Sequence, residues 1–320
     1  MSEPAISVVF PVYRSHWVEQ SVQSILDQTF EDFELILIDD SDQEEMHRRL
    51  QNIAQTDRRI RLISNANNLG IVASLNIGMD LAKGRYIARM DDDDIARPHR
   101  FASQIQFLEQ NPEIFLLGGS YTYINANDET IGSQTRAYAP KAVVKYLLKS
   151  GVIHHPTVMF RNQHDYRYRE KALWCEDRDL WLRMITDGRQ LQVLSDIVLD
   201  YRIHEKSISA RKYLQQAAFV NQALAWHQER IDTGQDSYDS FDVSEILSMD
   251  THSEQYVSIL EMKIQYKSGQ GRPKLRQKIR AFWKTHGFTA WKPAWLIYPM
   301  TFLPRPIEQV LLKQILRYYE

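Results

Sequence analysis

Apolar and polar positions follow two different periods along the first hundred residues. Ile6-Ser7-Val8-Val9-Phe10 is a β-branched run that Pro11 is expected to stop, because proline has no N–H to give to a sheet. Val18, Val22, Ile25 and Leu26 then recur at helical spacing. Phe33 to Ile38 is an apolar strand interrupted only by Glu34 and ending in Asp39-Asp40, and Met46, Leu50 and Ile53 mark the next helix. Ile60 to Ile63 predicts a third strand, Leu75, Met79 and Leu81 a third helix, and Tyr86 to Met90 a fourth strand. Strands apolar on both faces that alternate with helices predict a parallel sheet covered by helices. Right-handed crossovers bring the strand C-termini to one edge, which gathers Pro11 and Tyr13, Asp39 and Asp40, and Asp91 to Asp94 from three loops.

Past Arg97-Pro98 the pattern predicts a helix at Phe101, Ile105 and Leu108, a strand over Ile114 to Ile124 and a short helix over Lys141 to Leu148. Gly151 to Arg161 reads as a loop leading into a strand. Leu180, Trp181, Met184 and Ile185 form the buried face of a helix that starts near Glu176, and Val193 to Leu199 reads as a strand. Leu214 to Ile231 predicts a helix, Thr233 to Asp242 a polar linker and Val243 to Tyr266 a second helical stretch. The chain is thus expected to divide into a domain over 1–212, with halves at 1–100 and 101–212, and a helical extension over 213–320.

With 43% hydrophobic and 25% charged residues and a net charge of -2, the 320-residue chain reads as an ordinary soluble globular protein without an overall bias toward nucleic acid. The single Cys175 excludes an internal disulfide and fits a reducing compartment. No basic segment followed by an apolar core opens the chain, so no signal peptide is expected. The longest apolar candidate, Trp291 to Leu303, is broken by Lys292, Pro293 and Pro299 and is too short to span a bilayer. A cytoplasmic location is therefore expected.

The candidate chemistry starts at Asp91-Asp92-Asp93-Asp94. An acidic turn at a strand end is one reading of such a run. Its place at the C-terminal edge of an open α/β sheet, where ligands bind, favours the other: a site for Mn2+ or Mg2+, which take one or two carboxylates and complete their shell with water and phosphate oxygens. There is no Gly-x-Gly-x-x-Gly after the first strand and no Gly-Lys-Ser/Thr loop, so neither a dinucleotide fold nor a P-loop is supported. Asp40 stands where a base could lie, and its acceptor-only carboxylate matches the ring N–H of uracil, although Asp-Asp is also a common turn former.

These residues carry a resemblance. Phe10-Pro11-Val12-Tyr13, Ile38-Asp39-Asp40-Ser41, Asn68-Leu69-Gly70 with Asn76-Ile77-Gly78, Gly84-Arg85-Tyr86-Ile87, Met90-Asp91-Asp92-Asp93-Asp94-Ile95 and Cys175-Glu176-Asp177 together resemble the ordered signature of the family 2 inverting glycosyltransferases of GT-A-type fold. The resemblance covers about residues 5 to 210, with Arg14 where the family often has Asn and Asp42 following Ser41. It implies a mostly parallel nucleotide-binding sheet flanked by helices, with 1–100 the nucleotide-sugar half and 101–212 the acceptor half. It implies further that Pro11 and Tyr13 lie by the uracil, that Asp40 contacts the base, and that Asp93 binds the metal with Asp91 or Asp92 on the ribose. Direct displacement of a nucleoside diphosphate needs a base for the acceptor hydroxyl, and the family's falls on Asp177, with Glu176 next to test. Similar proteins place the loop carrying His155 beside the acceptor, here with Trp174, and a Tyr-Arg-x-His-x-x-Ser segment whose His204 reaches the metal or diphosphate. Processive members carry a Gln-x-x-Arg-Trp segment after the base, absent here, so a single sugar per encounter is expected.

The implied reaction moves one sugar from a UDP-sugar to an acceptor hydroxyl, on a lipid-linked saccharide or a bacterial surface polysaccharide precursor. The alternative is a non-catalytic nucleotide- or metal-binding protein with a transferase-like fold. A receiver-like domain would need only about the first 120 residues and gives Glu176-Asp177 no role. Within 272–320, Arg272, Lys274, Arg276, Lys278, Arg280 and Lys284 are interleaved with Phe282, Trp283, Trp291 and Trp295. This composition suits packing into a helical core, attachment to an anionic membrane at its inner face, or, with no recognisable module, nucleic acid.

Overall fold

A computed structural model of the chain describes residues 3–163, 165–205, 212–249, 256–268, 272–286 and 293–302. The first half alternates as expected: β1 (Ile6–Val12), α1 (Val18–Leu26), β2 (Phe33–Asp39), α2 (Glu44–Ala54), β3 (Ile60–Ser64), α3 (Ile71–Leu81) and β4 (Tyr86–Arg89). There follow β5 (Ile95–Ala96), α4 (Arg100–Gln110), β6 (Ile114–Ile124), β7 (Thr130–Gln134), α5 (Pro140–Leu147), β8 (Met159–Arg161), α6 (Glu176–Thr186), β9 (Gln190–Arg202) and α7 (Tyr213–Thr233). One sheet runs in the order β3-β2-β1-β4-β8-β6-β9-β5, with β7 hairpinned onto β6. Its first half, β3 to β4, is parallel throughout. The second half is mixed: β8 lies antiparallel between β4 and β6, and β9 returns parallel to β6.

Strand periodicity explains why β1 and β2 are apolar at nearly every residue. Val9, Ile36 and Ile38 enter one core with α3, α6 and α7, while Val8, Phe10, Leu35 and Leu37 enter another with α1, α2 and α4. Neighbouring side chains point to opposite faces, and here both faces are covered. Pro11 does not stop β1, which continues to Val12 against β2. β4 reaches only as far as Val9, so the ring sits where no neighbour asks for its missing N–H. β9 is also longer than its apolar run: Asp200 to Arg202 extend it along β6 toward the acid loop.

Gly84 precedes β4 where the chain passes over β1, and a Cβ there would lie 2.5 Å from the Ser7 nitrogen and 2.6 Å from the Ile6 carbonyl carbon. Backbone atoms cannot swing aside as a side chain can. Gly84→Ala should therefore destabilise by about 1–3 kcal/mol, as overpacking does, read as a lower urea midpoint. An unchanged midpoint would show that β1 and β4 are not held this closely.

The segment expected as a polar linker is packed. Tyr238 and Phe241 meet the Trp226 ring with centroids 5.2 Å away, and Lys171 Nζ donates to the Asp239 carbonyl at 2.6 Å. Further helices are α8 (Ser244–Leu247), α9 (Tyr256–Ser268), α10 (Arg272–His286) and α11 (Pro293–Met300). α9 packs on β7, and Met262, Leu275, Ile279, Phe282 and Ile297 form a small core of their own, with Trp283 and Tyr298 against it. The aromatic residues of α10 are thus engaged in packing. Trp291 and residues 303–320 of the basic aromatic tail lie outside the described residues.

Candidate active site

β4 carries one charge inside its apolar run, Arg89, and releases the four aspartates immediately after Met90. Arg89 is buried and pairs with Asp91, while its Nε has no hydrogen-bond partner. Behind the loop Arg100, fully buried, donates from Nη2 to the Arg89 carbonyl at 2.8 Å. Arg202 donates from Nε to the Asp93 carbonyl at 2.7 Å and from its backbone N–H to Asp94 Oδ1 at 2.8 Å. Three guanidiniums thus back four carboxylates, which lets like charges sit together.

The four acids are not equivalent. Asp92 Oδ2 accepts from the Tyr13 N–H at 3.1 Å and the Asp92 carbonyl accepts from the Ser15 hydroxyl at 2.7 Å, so Asp92 ties the loop to the end of β1. Asp91, Asp93 and Asp94 each bring one carboxylate oxygen within 4.8 Å of the others. Asp94 is fully buried, and its Oδ2 has no partner. Burial first, and then the charge of Asp93, raises the carboxyls of Asp92 and Asp94 well above the usual range; burial also raises Asp91, against the pull of Arg89. A converging set of oxygens with an unfilled buried acceptor fits a hard divalent cation. His204 Nε2 lies 2.7 Å from Asp93 Oδ2, and its ring packs 4.8 Å from Trp17. It orients Asp93.

At the other end of the edge, Asp40 is buried and fixes the loop that starts α3. Its oxygens accept from Asn65 Nδ2 at 2.8 Å, the Leu69 N–H at 2.8 Å and the Gly70 N–H at 2.9 Å. A carboxylate has about four lone-pair sites, and three of those of Asp40 are engaged within the loop. Gly70 has φ 85, a left-handed conformation that glycine adopts without penalty. Tyr13 is 45% exposed, beside Arg14 at 4.7 Å, and Arg14 pairs with Asp42 across the mouth between β1 and β2. The two positions that depart from the family pattern thus satisfy each other. Pro11 is buried in β1, one residue from the chain's exit toward this mouth.

The second centre is the start of α6. Glu176 is buried, its Oε1 lies 3.9 Å from His155 Nδ1 and its Oε2 has no partner. Burial, then the Asp177 charge, pushes its carboxyl up to about 8. His155 is buried and bonded through Nε2 to the Tyr168 hydroxyl at 2.8 Å, and burial lowers its pKa, so it is a neutral ring beneath Glu176. Asp177 is half-buried, accepts the Arg178 N–H at 2.6 Å and lines an open cavity of about 450 Å3. Trp174 lines the same cavity from a left-handed backbone, φ 58, held by Gln216 Nε2 on its carbonyl at 2.8 Å.

The structure therefore brings Pro11, Tyr13, Asp91, Asp92, Asp93 and His204 to one edge, and Asp177 and Trp174 to the cavity; Glu176 and His155 lie buried behind the start of α6. Sequence reasoning missed Asp94 as a member of the oxygen set, and Arg89, Arg100 and Arg202 as its counter-charges. Arg89 was detectable as a charge inside a buried strand, and Asp94 as part of the run. Arg100 reads as an ordinary helix residue, so nothing local marks it.

The glycosyl transferase family 2 model matches residues 7–169. An uncharacterized glycosyltransferase of Methanocaldococcus jannaschii is 30% identical over 233 residues, covering 71% of this chain and 80% of that protein. The O-antigen biosynthesis glycosyltransferase WbnJ of Escherichia coli is 33% identical over 226 residues, covering 67% and 86%. Among solved structures, TarS of S. aureus in complex with UDP superposes with a TM-score of 0.52 at 15% identity, covering 92% of this chain and 89% of that one. The mannosyltransferase PcManGT of Pyrobaculum calidifontis, in complex with GDP-Man and Mn2+, gives 0.55 at 14% identity over 97% and 83%. The structural likenesses establish a GT-A-type α/β fold, and the family match, spanning half of the sequence, takes in the acid loop, Asp40 and the His155 turn. With relatives aligned over most of their length, the chain belongs to glycosyl transferase family 2.

Proposed function

We propose that this protein is an inverting, metal-dependent, non-processive hexosyltransferase that moves one sugar from a UDP-sugar to an acceptor hydroxyl. The observation that carries the reading is the convergence of Asp91, Asp93 and Asp94 within 4.8 Å, with a buried oxygen of Asp94 unpartnered. Asp93 and Asp94, with Asp91 and with His204 alongside, would hold Mn2+ or Mg2+. Such an ion offsets the charge that develops on a departing diphosphate.

The chain's own residues supply the rest. Asp40 and Tyr13 receive the base, and Asp92 holds the Tyr13 loop in place. Asp177 takes the proton of the acceptor hydroxyl as that oxygen forms its bond to the sugar's anomeric carbon, and the bond from that carbon to the diphosphate oxygen breaks. Attack from the side opposite the leaving group inverts the centre. TarS holds UDP and PcManGT holds GDP-Man, so this fold accepts either nucleoside. The acceptor-only carboxylate at Asp40 suits the ring N–H of uracil.

Relatives named for O-antigen and teichuronic acid biosynthesis support a surface-polysaccharide or lipid-linked acceptor. Among the described residues no helix is long and apolar enough to cross a membrane. The exposed Lys274, Arg280 and Lys284 on α10 would hold the enzyme peripherally at the inner face, with 1–212 bearing the catalytic side chains and the extension over 213–320 completing their core through α7.

Incubation with a panel of UDP-sugars, Mn2+ and a defined acceptor should release UDP and add one sugar by mass. Asp93→Ala should abolish the Mn2+-stimulated part while the protein stays folded. Equal metal-stimulated turnover in that variant, or a ladder of added sugars, contradicts the assignment. The same preparation should sediment with anionic vesicles at low salt and be released at high salt.

A further inference from the structure

The face that α5 turns to water is basic and apolar at once. Between Glu129 and Asp165 the sequence has no acid, and within that stretch stand Lys141, Lys145 and Lys149. The helix buries Val143 and Leu147, and its last turn carries on past Leu147, where the Ser150 N–H donates to the Tyr146 carbonyl at 2.7 Å. Lysines four apart therefore form one crest, opposite the buried pair. All three are exposed, and none is paired with an acid among the described residues.

Apolar side chains flank the crest. At 3.6 residues per turn Val144 and Leu148 lie on one side of it and Tyr146 on the other, and they are 40%, 39% and 41% exposed. Neighbouring apolar groups left in water beside charges mark a contact surface. The same character continues across the mouth of the open cavity, where Leu147 of α5 forms one wall and Ala217 and Asn221 of α7 form another. Leu214, exposed at the start of α7, shares the helix face of Ala217 and Asn221, three and seven positions before them. Lys212 adds a further charge there, with Nζ 5.0 Å from the Trp174 ring.

The two properties together select the partner. A nucleic-acid backbone would answer the lysines and leave Val144, Leu148 and Leu214 in water. An anionic bilayer answers both, because its phosphates meet the ammonium groups while their long stems let the apolar flanks reach the acyl boundary. α10 offers charge alone by comparison, since Phe282 and Trp283 are packed in the small C-terminal core.

We infer that α5, with Leu214 of α7, is a membrane-contacting surface that rests on anionic phospholipid and turns the open side of the α5–α7 cleft to the bilayer. Its use in the reaction rests on the transferase reading, since a transferase held this way meets a lipid-linked acceptor where it lies. The contact itself does not.

Sedimentation of the full chain at low salt with vesicles of mixed phosphatidylglycerol and phosphatidylcholine tests the surface. Each basic residue at an anionic surface contributes roughly fivefold, so the protein carrying Lys141→Gln, Lys145→Gln and Lys149→Gln should bind roughly 100-fold more weakly, with an unchanged melting curve. An environment-sensitive fluorophore on Leu148→Cys should shift to the blue with these vesicles and not with phosphatidylcholine alone. The same fluorophore on Asn52→Cys of α2, on the other face of the sheet, should not shift. Cys175 is buried and takes no label. Wild-type binding by the folded triple variant, or a fluorophore at position 148 that stays in water while the protein sediments, overturns the inference. So does capture by a random oligonucleotide that is tighter than capture by vesicles at the same salt and is lost in the triple variant, which assigns the lysines to nucleic acid. UDP release with a water-soluble acceptor is scored separately. Its absence with every nucleotide-sugar while vesicle binding follows α5 sinks the transferase reading alone, and its presence while the triple variant binds vesicles as wild type does sinks the surface alone.

Discussion

Asp177→Asn is expected to lower kcat by roughly 100- to 10,000-fold, the usual loss when a general base is removed, with donor affinity little changed. The amide keeps the size of the side chain and its bond from the Arg178 N–H, but cannot take a proton. Glu176→Gln is the informative partner. With its carboxyl pushed up to about 8, Glu176 is mostly protonated at pH 7, and glutamine imitates that neutral form. Its turnover should stay within a few-fold of wild type. The stability of the two proteins should diverge with pH. A carboxyl whose folded pKa exceeds its unfolded one binds the proton more tightly when folded, so wild type loses stability as pH rises from about 4.5 to about 8 and Glu176→Gln does not. Should Glu176→Gln lose activity as Asp177→Asn keeps it, the base is Glu176.

Asp94→Asn should separate binding from folding. In the metal-free protein the Asp94 carboxyl lies well above its usual range because it is buried beside Asp93, so its ionisation opposes folding and stability falls as pH rises through that range. Asparagine keeps an oxygen for the Arg202 N–H and carries no charge. The variant should therefore melt higher than wild type at pH 8 without metal. Adding Mn2+ should raise the wild-type Tm, since a ligand bound only by the native state stabilises it, and this shift should shrink sharply in the variant. A variant that melts lower without metal, or that shows the full Mn2+ shift, would mean that Asp94 is a structural acid.

The parallel half of the fold could be read directly from residues. Every apolar run from Ile6 to Met90 became a strand or a helix, because both faces of each strand are covered and composition then follows burial. The mixed half was less legible. β5 is two residues long and β7 is polar, so neither has an apolar signature, and both exist because β9 and β6 offer them edges. The aspartates stood out as a run, yet their division of labour did not. Asp92 turns to the Tyr13 backbone and Asp94 turns inward, and such choices depend on partners about 80 and 108 residues away. The polar stretch 233–242 misled for a related reason: Tyr238 and Phe241 are scattered among charges, and only the fold shows that they close over Trp226.

α7 has a consequence for how this enzyme can be cut. Phe219, Ala223 and Trp226 recur at helical spacing, have no exposed surface, and join the same core as Leu180, Leu182 and Met184 of α6. Burying a large apolar side chain contributes roughly 1.5–3 kcal/mol, a sizeable part of the margin by which a domain stays folded. Arg169 extends the attachment, bonded to Asp179 of α6 and to Asp236 beyond α7 while its guanidinium lies over Trp226. The smallest autonomous unit is therefore longer than the stretch shared with the family. A fragment ending near residue 205 would carry every candidate catalytic side chain and still present the bare apolar face of α6 to water, where it invites self-association. Only a chain carried past Phe241 closes that face.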